Sequence, residues 1–331
     1  MLTVIDRQYQ DRLDLSSTSE SQIMEFVTLD VFTQTRFLGN PLAVVKVPHD
    51  TSLSQETKQI IAREFNYSET VFLHLPSPSS TDTNDPEWKI DIFLTNAEVP
   101  FAGHPTIGTA VYALSTLSRT ARGRFICKAG PLDLLYDASN KTARAGIPFA
   151  IHRHLRAYSI PSLYSLQPAL YSHLQSSSQA LAAEDIDVVS VVKGMTFIFV
   201  RLPSVAALST VALHGAHFDF QRDEGWDMGV LMSMFYVPLE SSDGTLKLRT
   251  RMIEGMFEDP ATGSASCGLA ALLAIKKGVK GQVLKVEMTQ AVEMGRQSDI
   301  GVDVTMDEKG EVAKIELIGS AVEVMEGKVK Y

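Results

Sequence analysis

Cysteine is nearly absent. Two thiols, Cys127 and Cys267, in 331 residues exclude a disulfide framework and a cysteine-built zinc site, and they fit a reducing compartment. Long apolar runs are missing too: Gly268–Ile275 falls far short of the ~20 residues a membrane helix needs. The first residues hold no basic stretch followed by an apolar one, so no secretory leader is read and a cytoplasmic protein is expected. No Lys/Arg cluster occurs, and the formal net charge is -9. That balance argues against nucleic acid or an anionic membrane as partner, and solubility accounts for it. There is no dinucleotide fingerprint and no P-loop. Gly263-Ser264-Ala265-Ser266 lacks the Gly-x-Ser-x-Gly spacing of a nucleophile elbow.

What is present reads as two domains of about 150 residues each. Residues 1–22 are rich in Ser, Asp and Gln and read as an N-terminal extension. The fold is expected to divide into domain 1 over 23–148 and domain 2 over 149–331, with the last strand free to return to domain 1. In the first half, Phe26–Phe32, Leu42–Val47, Thr70–Leu75 and Trp88–Leu94 carry strand patterns. Gly39-Asn40-Pro41 marks a turn, and Ser54–Phe65 has helical period with Ser54 as cap. In the second half, Val188–Val192, Met195–Leu202, Met234–Pro238 and Leu246–Met252 read as strands, with Ser204–Leu213 helical. Regular strand–helix alternation is missing, so the fold class is α+β with mainly antiparallel pairing. Leu155–Ala183 reads as a helix-containing surface insertion, either decoration or a specificity element.

A repeat lies beneath this order. Glu98-Val99-Pro100-Phe101-Ala102-Gly103-His104-Pro105-Thr106-Ile107-Gly108-Thr109-Ala110 aligns without a gap on Glu258-Asp259-Pro260-Ala261-Thr262-Gly263-Ser264-Ala265-Ser266-Cys267-Gly268-Leu269-Ala270. Glu, Pro, both Gly and the final Ala coincide. Thr106–Leu117 carries small residues on most faces, and Ser266–Ile275 is apolar nearly all round; such helices are buried. Each half is therefore expected to wrap a barrel-like sheet around a central helix. Helix starts leave backbone N–H groups unpaired and bind anions, and Gly103 and Gly263 permit close backbone approach. Two such starts facing each other suit a carboxylate; tight helix entries of no chemical consequence fit the pattern equally well.

At this point the sequence resembles PhzF-like proteins, the phenazine-biosynthesis PhzF family. Four ordered segments carry the resemblance: Asp30-Val31-Phe32 with Gly39-Asn40-Pro41-Leu42-Ala43-Val44-Val45; Asn66-Tyr67-Ser68-Glu69-Thr70-Val71-Phe72; Pro100-Phe101-Ala102-Gly103-His104-Pro105-Thr106; and Glu258-Asp259-Pro260-Ala261-Thr262-Gly263-Ser264-Ala265. A fifth, Met294-Gly295-Arg296-Gln297-Ser298, matches loosely. The resemblance implies a diaminopimelate-epimerase-like fold and proton-shuttling isomerase chemistry with neither metal nor organic cofactor. The best-understood member moves a proton between carbons of a dihydro-hydroxyanthranilate ring. The resemblance makes Glu69 the general acid/base and His104 and Asp259 its catalytic partners. Gly103, Gly263, Ser264 and Asn40 form the expected substrate-binding set, the partner being a small carboxylate-bearing molecule. A homodimer is expected because the family often forms one. Related acid/base reactions (epimerisation, elimination or cyclisation) and a non-catalytic binding protein remain alternatives, since a fold does not fix a reaction.

Local sequence alone leaves Glu69 open between a surface carboxylate and a base with lifted pKa, His104 open to a core histidine, and Asp259 open to a helix cap. Racemases of this fold use two opposed cysteines, and Ala102 and Thr262 occupy those positions here, which disfavours two-thiol chemistry. Phe93-Leu94-Thr95-Asn96 departs from the family's Phe-Thr-Pro. His152-Arg153-His154 and His214–His217 have metal-ligand spacing, but no acidic or cysteine partner is apparent in sequence, so no metal site is assigned and both read as surface histidines. Met228, Met232 and Met234 read as core packing.

Overall fold

The computed structural model describes residues 23–77, 85–241 and 244–331. The expected extension over 1–22, most of the loop over 77–85 and the centre of the turn over 241–244 lie outside the described residues.

The first half opens with β1 (Ile23–Val31) and β2 (Asn40–Val47), antiparallel with Leu29 opposite Leu42. Helix α1 (Gln55–Phe65) crosses over the outside to β3 (Thr70–His74), parallel to β2. Strand β4 (Glu87–Phe93) and the two-residue β5 (Glu98–Val99) follow antiparallel. Helix α2 (Gly103–Tyr112) leads to β6 (Arg122–Cys127), parallel to β4, and β7 (Gly130–Asp137) and β8 (Thr142–Gly146) run antiparallel. The chain then passes through β9 (His152–Arg153), α3 (Ile160–Leu166) and α4 (Pro168–Ser176).

The second half repeats this plan. Strands β10 (Ile186–Val192) and β11 (Met195–Arg201) pair antiparallel, and α5 (Val205–Ser209) leads to β12 (Val230–Leu239), parallel to β11. Strand β13 (Leu246–Glu254) and the short β14 (Phe257–Asp259) precede α6 (Gly263–Lys277), β15 (Val283–Gln290), β16 (Ser298–Met306) and β17 (Val312–Lys330). The register of the repeat is kept: Glu98 pairs with Phe93, and Glu258 pairs with Ile253. The thirteen-residue alignment thus marks equivalent strand ends and helix starts.

Strand β17 joins the halves. Residues 312–318 pair with β16, 316–320 with β8, and 321–330 with β1. Strands β1, β2, β3, β4, β6, β7, β8 and β17 thereby close an eight-stranded barrel, which removes its edges. In the reverse direction the chain after β8 reaches β10 through β9.

The expected central helices are central. All ten residues of α2 are buried, as are Gly263 and Ala265–Leu272 of α6. Both pack on inward side chains such as Val31, Leu42, Phe197 and Leu317 within one continuous core. Helix α3 and α4 correct the reading of 155–183 as surface decoration. Leu163, Leu170 and Leu174 are fully buried against Val188, Ile198, Val200 and Phe235, covering the outer face of the second sheet, which the apolar alternation of β10 and β11 would otherwise leave wet.

Helix α1 covers the first sheet in the same way. Ser54 accepts from the Thr57 N–H at 3.0 Å, and Asn66 ends the helix in the left-handed region. Beneath it Lys58 is only 4% exposed and donates to Asp91 Oδ2 at 2.5 Å, with His74 Nε2 at 2.7 Å from the same oxygen. Burial alone would raise the Asp91 carboxyl, but the His74 and Lys58 hydrogen bonds and charges override it and hold it well below the carboxylate range. Asp91→Asn strands the Lys58 charge, and loss of ~3–5 kcal/mol is expected, read from urea unfolding at neutral pH. In the wild type this contribution is complete above the unfolded carboxylate pKa of ~4 and is lost as pH falls below it towards the depressed folded value; the variant's stability is correspondingly flatter there.

Candidate active site

The two central helices meet head to head. Gly103 and Gly263 are their first residues, after Ala102 and Thr262 at the N-cap positions. A Cβ on Gly103 would lie 3.3 Å from Gly263 Cα and 3.0 Å from Leu317 Cδ2; one on Gly263 would lie 3.3 Å from Gly103 Cα and 2.8 Å from Leu317 Cδ2. Both glycines therefore serve the approach of one helix to the other, a demand the sequence does not announce. Gly263→Ala is expected to cost about 1–3 kcal/mol by overpacking, seen as a lowered thermal midpoint.

Around this junction the structure gathers the expected residues. Glu69 precedes β3, and its Oε2 lies 3.4 Å from His104 Nδ1 on the first turn of α2. They do not pair as ions near neutrality, because burial drives both towards neutral forms. It raises Glu69 to about 7, against a Ser68 hydrogen bond, and lowers His104 to about 4, against the Asp259 charge and the Pro41 carbonyl. Glu69 Oε2 and His104 Nε2 are buried without a hydrogen-bond partner among the described residues. Such orphaned groups are costly and cluster at functional sites. Glu69 keeps 15% of its side chain exposed.

Asp259 closes the group from the other half. Burial raises its carboxyl to about 6; Thr262 and the Ala261 N–H pull it down, the Glu69 charge pushes it up and His104 lowers it. The Asn40 amide nitrogen donates to Asp259 Oδ1 at 2.9 Å and to the Ala261 carbonyl at 3.1 Å, and the Thr262 hydroxyl donates to Asp259 Oδ2 at 2.6 Å. Asn40 is thus committed to holding Asp259. Ser264, the counterpart of His104 in the repeat, is the one residue from Ala261 to Leu272 that is not buried.

Two supports escaped the sequence reading. Gln290, fully buried, donates from Nε2 to the Asp259 carbonyl at 2.8 Å and to Thr262 Oγ1 at 3.0 Å, and accepts from the Thr262 N–H. No motif marks it. Arg296 donates to the carbonyls of Gly39 and Phe37, each at 3.0 Å, and to Asp30 Oδ1 at 2.8 Å. It ties the Asn40 turn to the second half, which gives the loosely matched Gly295-Arg296 segment a role. Neither cysteine joins the site: the Cys127 thiol meets the Gly130 carbonyl, and Cys267 is buried within α6 with its thiol pushed up by burial.

Elsewhere, His154 is not the surface residue expected, while His152 remains part-exposed. His154 is buried, and Asp223, distant in sequence, comes to both. A cavity of about 540 Å³ beside Gln34, Gln297 and Asp299 contains none of the catalytic candidates. Among the described residues no helix is long and apolar enough to cross a membrane.

Comparison with known proteins bears on the family and the fold. The chain is 32% identical to the trans-2,3-dihydro-3-hydroxyanthranilate isomerase of Pseudomonas aeruginosa, covering 92% of this chain and 98% of that one. It is 28% identical to an uncharacterised isomerase of Mesorhizobium japonicum over 93% and 99% of the two chains. In fold it is similar to a PhzF-family phenazine biosynthesis protein of Bacillus anthracis, with a TM-score of 0.70 at 21% identity over 93% and 99%. It is also similar to a probable proline racemase of Agrobacterium radiobacter, with a TM-score of 0.55 at 14% identity over 92% of each chain. The family described as phenazine biosynthesis-like protein, PhzC-PhzF, matches residues 29–327. The chain belongs to this PhzC-PhzF family and is an enzyme of the isomerase type.

Proposed function

We propose that the protein is a cofactor-independent isomerase in which Glu69 moves a proton between two carbons of a small carboxylate-bearing substrate. The observation that carries this reading is Glu69 itself, a carboxyl with a buried, unpartnered oxygen and a pKa lifted to about 7. A base for a carbon acid must be anionic often enough to take a proton and acidic enough to return it, and a pKa near the working pH meets both demands. The Glu69 carboxylate accepts the proton as the C–H bond breaks and the electron pair shifts along the substrate's π system. The same O–H then breaks as a new C–H bond forms on the same face. The unpaired N–H groups at the starts of α2 and α6, with Ser264, receive the substrate carboxylate. Neutral His104 and anionic Asp259 hold substrate polar groups, His104 through its unpartnered ring nitrogen.

The activity for which the Pseudomonas relative is named gives the first compound to test. Trans-2,3-dihydro-3-hydroxyanthranilate, with other small unsaturated carboxylates, is incubated with the protein in D₂O and followed by NMR and mass spectrometry. Carbon-bound deuterium or a shifted double bond is the expected result. Turnover requiring an added metal or nicotinamide would overturn the cofactor-independent mechanism.

A further inference from the structure

The sequence set aside His152-Arg153-His154 for want of an acidic partner, and the fold supplies one. Asp223 Oδ2 lies 2.9 Å from His152 Nε2 and 3.7 Å from His154 Nδ1, and the three ligand atoms all fall within 4.8 Å of one another. We propose that His152, His154 and Asp223 form a binding site for one borderline divalent transition-metal ion, of the Zn²⁺ or Co²⁺ kind, separate from the Glu69 site. Two imidazoles and one carboxylate suit such ions and suit Ca²⁺ or Mg²⁺ poorly.

The surroundings are those of a prepared ligand set. The Asp223 backbone N–H donates to His154 Nδ1 at 3.0 Å, so Nδ1 carries the lone pair and Nε2 the proton. That proton goes to Ser190 Oγ at 2.9 Å, and Ser190 is itself fully buried and 2.7 Å from Thr196 Oγ1. A histidine whose far ring nitrogen is held this way has its tautomer and ring orientation fixed, with the near lone pair turned to the Asp223 side. His152 is stacked on Trp226, with ring centroids 4.5 Å apart and planes 8° apart. Of the cations adjacent in sequence, Arg222 is engaged by Asp227 and the Gly229 carbonyl and Arg153 by Asp187. A metal ~2.0–2.1 Å from each donor draws the widest pair together and replaces the N–H now facing His154 Nδ1. His152, 29% exposed, makes that movement by sliding over Trp226, and the same opening leaves room for water ligands. The ion clamps the crossover strand β9 to the segment around Asp223.

The test is titration of the untagged full-length protein with Co²⁺, read by its visible ligand-field bands, followed by competition with Zn²⁺. One Co²⁺ per chain is expected, displaced by Zn²⁺. Affinity is expected to fall on the order of 100-fold in His152→Ala and in Asp223→Asn, and on the order of 10-fold in Ser190→Ala. His217→Ala, outside the cluster, leaves it unchanged. Should Ser190→Ala fail to fold, the half-exposed His152 still decides the matter. Absence of Co²⁺ or Zn²⁺ binding by the folded wild type, or binding that survives both His152→Ala and Asp223→Asn, overturns the proposal.

Discussion

Glu69→Gln is expected to lower turnover by about 10⁴-fold, the upper range for loss of a general acid/base, while leaving the protein at least as stable as the wild type above neutral pH. The two effects have one cause. Ionising a carboxyl in this site works against burial, which is why Glu69 sits at about 7 instead of 4.5. Its folded pKa lies above the unfolded one, so the folded state binds the proton more tightly. Stability is therefore full below about 4.5 and declines as pH rises to about 7. At about 1.4 kcal/mol per pKa unit, the decline amounts to ~3 kcal/mol. Gln carries no charge to desolvate and escapes it. Urea unfolding at pH 5 and pH 8 should show the wild type losing stability between them and the variant losing less. Deuterium incorporation in the same samples should vanish in the variant. A variant that stays active removes Glu69 from its role; one that is inactive and unfolded at pH 8 leaves the role undecided by activity and contradicts the buried-charge account.

The sequence showed the site more clearly than it showed the site's supports, for physical reasons. Local sequence left Glu69, His104 and Asp259 open; the ordered segments that resemble PhzF-like proteins singled them out. The repeat was legible because equivalent helix starts impose the same glycine, and the burial of α2 and α6 because a helix apolar on all sides has no face for water. Gln290, Asp30 and Arg296 were not legible as a network. Their bonds span from about thirty to more than two hundred residues of chain, and nothing in a strand's alternation says that an inward Gln will hold a distant Thr. The same limit hid Asp223, about seventy residues from the histidines it joins. The glycines show a subtler gap. Gly103 and Gly263 were expected to admit a ligand to the backbone; they also meet a second demand, since their Cβ positions are closed by each other and by Leu317. Only the packing of two helices from different halves reveals that.

Asp259→Asn tests whether the second carboxylate acts by charge or by shape. The replacement is nearly isosteric, and most of its hydrogen bonds can be kept, the Thr262 hydroxyl proton alone losing its acceptor. The amide oxygen can accept from Asn40 Nδ2 and the Ala261 N–H, as Asp259 Oδ1 does now. The amide nitrogen can donate to Thr262 Oγ1, whose hydroxyl presently donates to Asp259 Oδ2. What disappears is a negative charge close enough to Glu69 and His104 for each to feel it. The variant is therefore expected to fold with unimpaired stability at pH 8, since the raised pKa of Asp259 marks its ionisation as a cost to the fold above about 6. Activity is expected to fall by about 10²–10³-fold, because the substrate loses an anionic acceptor beside the proton it gives up. The pH profile separates charge from shape. The two carboxyls titrate as a coupled pair, and removing one anion makes ionisation of the other easier. The rising limb of kcat/KM, expected near 7 in the wild type, should move to lower pH in Asp259→Asn. A variant of low activity with its limb unmoved would assign Asp259 a purely positional part, shared with Asn40 and Thr262.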